Sequence, residues 1–169
     1  YSGAVKGFKI VRVGYYRFFV MTIYNRHPPT IRPFIISVDE DIEDSFLLKS
    51  AFAAADLAVD LQSYHSLAEL EAYLNCDDNS KIRLPKIVIV DMRFPGVMAN
   101  QTIVTLKAHP SCRRIPIIML SGMDDPQAIN EFYDIGGSAF IKKPTSLENW
   151  KMIVTILWEY WFVVTTLST

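Results

Sequence analysis

Residues 87–90 read Ile-Val-Ile-Val, with no polar side chain among them and an aspartate, Asp91, directly after. A β-branched run without alternation suits a central parallel strand covered on both faces, since neither side of such a strand meets water. Parallel strands need long crossovers, usually helical, and the sequence supplies them on both sides. From Pro33 onward, short apolar runs alternate with longer helical patterns, the signature of successive βα units. Strands are expected at Phe34–Val38, Val59–Tyr64, Ile87–Val90, Ile115–Leu120 and Ala139–Ile141.

The helices between them carry their own start and stop signals. Residues 42–54 form a helix pattern with Phe46, Leu47, Ala51 and Ala54 on one side. Ser66-Leu67-Ala68-Glu69 is a capping-box start for a helix over 66–75. A third spans 100–109 and is stopped by Pro110. Asp125 caps a fourth, with Pro126 at its first position and Gly136-Gly137 at its end. The last starts at Ser146. In it Leu147, Trp150, Val154, Leu157 and Trp161 form a core-facing stripe, and Ile153, Ile156 and Tyr160 a second stripe. The fold class is α/β with a five-stranded parallel sheet.

Charge divides the chain. It carries 17 cations and 18 acids, a net charge of −1. Residues 1–33 hold Lys6, Lys9, Arg12, Arg17, Arg26 and Arg32 and no acid, leaving 11 cations against 18 acids beyond them. An acidic folded part suits a module that binds a divalent cation and docks on basic partners, and it argues against nucleic acid as a partner. Asn25 to Thr30, with paired prolines, reads as a linker. The domain plan is a basic leader over 1–32, a folded domain over 33–161 and an extension over 162–169. Met21 is expected as the natural start. No output domain is expected after residue 161. No apolar stretch reaches the ~20 residues of a membrane span, and the first residues lack the layout of a signal peptide. Cys76 and Cys112 form no CxxC or CxxH pattern. They are expected as surface or half-buried thiols of a reduced, cytoplasmic protein.

In an open parallel sheet, ligands bind at the carboxyl ends of the strands. Strand one ends in Asp39-Glu40-Asp41, strand three in Asp91, strand four in Ser121 and strand five in Lys143. Clustered carboxylates repel each other unless a cation neutralises them. Mg²⁺ fits, because it favours a few carboxylates, waters and phosphate oxygens. An aspartate can act as a nucleophile and form an acyl phosphate. The charge that develops on the phosphoryl oxygens then needs fixed cations and donors, which the metal, the Lys143 ammonium and the Ser121 hydroxyl would supply. Each residue alone has a plainer use: Asp91 and Ser121 as turn formers, Lys143 as a solvated charge, 39–41 as a helix N-terminus where acids are favoured. Their joint placement at four strand ends points to a site.

Residues from about 33 to 161 resemble a receiver domain of two-component signalling. The pieces that carry the resemblance are Ile36-Ser37-Val38-Asp39-Glu40-Asp41, Val90-Asp91-Met92-Arg93-Phe94-Pro95-Gly96, Ile115-Pro116-Ile117-Ile118-Met119-Leu120-Ser121-Gly122 and Phe140-Ile141-Lys142-Lys143-Pro144. The resemblance implies a doubly wound, flavodoxin-like sheet of order 2-1-3-4-5. It implies Asp91 as phosphoacceptor for a sensor histidine kinase. Asp39 and Glu40 would hold the metal with Asp91 and the Arg93 backbone carbonyl, and Glu40 with Asp41 are the pair if the register slips by one. It further implies Ser121 as the switch hydroxyl, Lys143 as its charged companion, Phe140 as an aromatic switch, and Gly122 as the opening for the phosphoryl group. Three residues depart from the family pattern. Glu40 stands where an aspartate is usual, Ser121 where threonine is commoner, and Ala99 where a loop glycine is frequent. The ending Glu159-Tyr160-Trp161 and apolar residues 162–167 look like receivers that partner phytochrome-type kinases. In those, the last helix and an extension support a homodimer. The alternative is that 162–167 fold back onto their own core. Glu40 keeps open a receiver-like scaffold that works without phosphorylation. A phosphatase on the same fold would want a general acid two residues after the nucleophile, where Arg93 stands. A relay to another histidine protein reads the same in sequence as a terminal switch.

Overall fold

The computed structural model describes residue 29 and residues 31–75, 83–92 and 97–167. Five strands form one sheet: β1 (Phe34–Val38), β2 (Asp60–Tyr64), β3 (Ile87–Met92), β4 (Ile117–Ser121) and β5 (Ala139–Lys142). All pairings are parallel and the order is β2-β1-β3-β4-β5. The doubly wound sheet expected from the sequence is the one observed. β3 sits at its centre, and all six of its residues are buried, Asp91 included.

Helices cover both faces: α1 (Ile42–Ala54), α2 (Leu67–Leu74), α3 (Val97–Ala108), α4 (Pro126–Asp134) and α5 (Leu147–Glu159). Because strand side chains alternate, the sheet feeds two cores. One gathers Ile36, Val38, Val88, Val90, Ile117 and Met119 under Leu70, Ile103, Leu106 and Phe132. The other gathers Ile35, Ile87, Ile89, Ile118 and Leu120 under Leu48, Phe52, Trp150, Val154 and Leu157.

The caps form where the sequence places them. Ser66 Oγ accepts from the Glu69 N–H at 3.2 Å, and Asp125 Oδ2 from the Ala128 N–H at 3.0 Å. The Glu69 carboxylate reaches back one residue further than a capping box requires, accepting from the His65 N–H at 2.8 Å. Gly136 ends α4 at φ +100, in the left-handed region that glycine enters at little cost. Gly137 follows because any Cβ there would overlap the Phe132 ring.

Several expectations are corrected. α1 has the expected bounds but a different inward face. Ser45, Leu48, Ala51 and Phe52 are buried, while Phe46, Leu47 and Ala54 are exposed. Apolar residues lie all round this helix, so spacing alone does not choose a face. The sheet does, and the face it chooses includes a serine. α3 begins at Val97, three residues before the expected start, so Ala99 is a buried helical residue and not part of a loop. β4 runs two residues later at its start and takes in Ser121. In α5, Trp150, Val154 and Leu157 are buried as expected, Leu147 is exposed, and Trp158 joins the core. A π-helical turn over Tyr160–Val164 continues α5. Val163 is buried, and Phe162 and Leu167 pack on the second core, so this part of the tail folds back. Cys112 is fully buried, contrary to the surface or half-buried thiol expected, and burial raises its thiol pKa. Met21, most of the basic leader, Cys76 and Arg93 lie outside the described residues.

Candidate functional site at the carboxyl end of the sheet

Three consecutive acids after β1 separate into three environments. Asp39 is buried, and its Oδ1 accepts from the Asp41 N–H at 2.8 Å. Glu40 is exposed. Asp41 caps α1, accepting from the Glu43 N–H at 2.8 Å. The plainer reading of the run as a helix N-terminus therefore holds for Asp41, while Asp39 faces the sheet end.

Asp91 lies beside Asp39, because β1 and β3 are neighbours in register, Val38 against Val90. It is 4 % exposed. Lys143 follows β5 and reaches across, so that its Nζ stands 2.5 Å from Asp91 Oδ1, 2.7 Å from Asp44 Oδ2 and 3.4 Å from Asp39 Oδ2. Strand alternation sorts the two lysines: Lys142 is exposed and pairs with Asp124 at 2.7 Å, while Lys143 turns inward.

The electrostatics follow from this packing. Burial pushes the Asp39 carboxyl up to about 6, helped by the nearby charges of Asp91 and Asp44 and opposed by the Asp41 N–H and Lys143. Burial would lower the Lys143 ammonium, but hydrogen bonds to Asp44 and Asp91 outweigh it and leave the pKa above the ordinary lysine value. One ammonium thus serves three carboxylates, and the site keeps an excess of negative charge.

Ser121 is fully buried at the end of β4, one register position past Asp91. Its Oγ accepts from the Met123 N–H at 3.1 Å, and its carbonyl accepts from the Lys143 N–H at 2.7 Å. A Cβ added at Gly122 would meet nothing within 4 Å, so space is open at that position. Phe140 is half-buried, edge-on to Phe132 with centroids 5.9 Å apart, and its N–H donates to the Tyr133 hydroxyl at 3.2 Å.

The structure therefore brings together Asp39, Asp91 and Lys143, places Ser121 at the adjoining strand end, and leaves Glu40 in solvent. Asp44 belongs to the cluster and was missed by sequence reasoning. Asp44 and Leu48 are four apart and share one side of α1, so the face that buries Leu48 also carries Asp44. Among the described residues no three acid, histidine or cysteine side chains stand as a ready metal-ligand group. Asp39 and Asp91 do fit a hard cation by donor type, and Mg²⁺ commonly takes one or two carboxylates with waters and phosphate oxygens for the rest. No described helix is long and apolar enough to cross a membrane.

Comparison with known proteins decides the family. Residues 35–155 match the response regulator receiver domain. The chain belongs to that family. A probable methanogenesis regulatory protein, FilR2 of Methanothrix harundinacea, is 25 % identical over 130 residues, covering 76 % of this chain and 84 % of the relative. The phosphorylated cyanobacterial phytochrome response regulator RcpA superposes with a TM-score of 0.72 at 23 % identity, over 82 % of this chain and 100 % of that one. The Mn²⁺-bound form of response regulator Rcp1 gives 0.69 at 17 % identity, over 81 % of this chain and 99 % of that one. The structural likeness includes receivers of the phytochrome-partner kind, and this chain has their fold.

Proposed function

We propose that this receiver takes a phosphoryl group onto Asp91 from a sensor histidine kinase and signals through protein contact. One observation carries the reading: a buried aspartate at the end of the central strand with a half-buried lysine ammonium at 2.5 Å. A carboxylate oxygen of Asp91 attacks phosphorus. The new P–O bond forms as the P–N bond of phosphohistidine breaks, and the imidazole nitrogen leaves with the electron pair. Lys143 and the Ser121 hydroxyl donate to the phosphoryl oxygens as their charge develops. Slow hydrolysis by water later returns the carboxylate.

Asp39 and Asp91 would hold Mg²⁺, with Glu40 and the Arg93 carbonyl as further ligands. A divalent ion there offsets the repulsion between the carboxylates and an incoming phosphoryl group. Rcp1, a receiver of the same fold, has a Mn²⁺-bound form, which supports such an ion here. Phosphorylation draws the Ser121 hydroxyl toward the phosphoryl group, repacks Phe140, and shifts the population of two arrangements of the face formed by α4, β5 and α5. An exposed row of Met152 and Ile156 on α5 and Tyr160 on the turn that continues it is placed to meet a second copy, since apolar patches of this kind mark contact surfaces. Transfer of labelled phosphate from a phosphorylated histidine kinase tests the reading. Label on this protein that disappears with Asp91→Asn supports it, and label that persists in the variant contradicts it.

The exposure of Glu40 favours a second reading, a scaffold that works without metal or phosphate. Titration with Mg²⁺, followed by tryptophan emission, separates the two. Saturation at millimolar metal favours the switch, and no response favours the scaffold.

A further inference from the structure

An ammonium has three N–H donors, and three carboxylates surround that of Lys143. Two of them, Asp39 and Asp91, stand at strand ends. The third, Asp44, comes from the first turn of α1, and at 2.7 Å it is nearly as close as Asp91. Acids in a first turn are common, because they complement the helix dipole. That explains an acid here but not its contact with Lys143. Asp44 is held in place by the packing beneath it: Leu48 and Phe52 of α1 meet Trp150 and Leu157 of α5 in one core. Asp44, Ser45 and Trp150 also line a small cavity of about 10 Å³ that reaches Asp39 and Asp91.

We propose that Asp44 is a positioning residue that shares the Lys143 ammonium with Asp91 and thereby restrains phosphoryl loading. The inference rests on the reading of Asp91 as the phosphoacceptor. Loading replaces a carboxylate by an acyl phosphate of higher negative charge, whose oxygens need donors. Lys143 must turn toward them while Asp44 goes on competing for it. That competition opposes loading, and it is relieved when the carboxylate becomes an amide of the same shape.

The test uses the full chain and phosphoramidate, whose P–N bond breaks as the Asp91 P–O bond forms, the nitrogen leaving with the electron pair and taking a proton from water. Loading rates are compared for wild type, Asp44→Asn, Asp44→Glu, Lys143→Met and the Asp44→Asn/Lys143→Met pair. Each is measured at Mg²⁺ saturation set by its own tryptophan titration, and thermal melts confirm that each is folded. Asp44→Asn is expected to load roughly three- to tenfold faster, as for the loss of one nearby charge in a screened site. Asp44→Glu restores the wild-type rate. In the Lys143→Met background, Asp44→Asn changes the rate by less than about twofold, because the coupling runs through the ammonium. Beryllofluoride, a non-reacting phosphoryl mimic, binds Asp44→Asn tighter by a similar factor. A merely structural role for Asp44 would give no acceleration and no dependence on Lys143. The inference is overturned if Asp44→Asn loads no faster than wild type, or is accelerated equally without Lys143. If wild type itself does not load, the phosphoacceptor reading falls and this one with it. If wild type loads and Asp44→Asn is no faster, only this one falls.

Discussion

Asp39, Glu40 and Asp41 are adjacent in the chain and have different physical fates: Asp39 is buried at the sheet end, Glu40 is exposed and Asp41 caps a helix. The Asp39 carboxyl rises from 3.8 to about 6 on burial, so the fold favours its protonated form. Without metal, its contribution to stability is fullest below the unfolded value near 3.8 and is lost as pH rises through about 6. Urea melts in EDTA from pH 4 to pH 8 should show this decline, and Asp39→Asn should flatten it. Mg²⁺ should recover the loss above pH 6 and give little below pH 4, where protons compete for the ligand. The sequence made Asp39, Asp91, Ser121 and Lys143 legible because each terminates a strand, and strand ends can be read from local apolar runs. Asp44 was not legible in the same way. It belongs to a helix, and its direction depends on which helix face the sheet buries.

At the scale of elements, α1 shows how far a periodic pattern can mislead. Its bounds follow from the Asp41 cap, a local signal. Its facing does not, because Phe46 and Leu47 compete with Leu48 and Phe52 and only tertiary packing separates them. Leu48→Ala should cost about 2–5 kcal/mol, as for a leucine truncated in a core, while Phe46→Ser should stay within about 0.5 kcal/mol of wild type, as for a surface change. Chemical denaturation of both variants measures the difference, and equal costs would put the helix the other way round. Gly137→Ala is a second check. The new methyl must displace the Phe132 ring, against which Phe140 packs, so a loss of about 1–3 kcal/mol is expected from overpacking. The caps of α2 and α4 were legible, since Ser66 and Asp125 act within three residues of themselves. The start of α3 was not, because no such cap announces it.

At the scale of the whole molecule, the five βα units and their order follow from buried strands alternating with helices. The strand-end chemistry follows from that order, because β1 and β4 flank β3 and bring their ends to Asp91. The tail could be read two ways in sequence. Packing of Phe162, Val163 and Leu167 on the core decides for folding back over that stretch, and it leaves Met152, Ile156 and Tyr160 as the exposed row. If a second copy covers that row, Ile156→Glu should shift the protein to monomer in sedimentation velocity without lowering its melting temperature. An unchanged sedimentation coefficient in a dimeric wild type would remove α5 from the interface.

The central claim is that Asp91 is a metal-assisted phosphoacceptor. Intact mass after incubation with phosphoramidate and Mg²⁺ tests it most directly, beside an Asp91→Asn control and a sample in EDTA. The account predicts the addition of one phosphoryl group to wild type, absent from the control and absent without metal. Modification that persists in Asp91→Asn, or a wild type that stays unmodified while binding Mg²⁺, would contradict it.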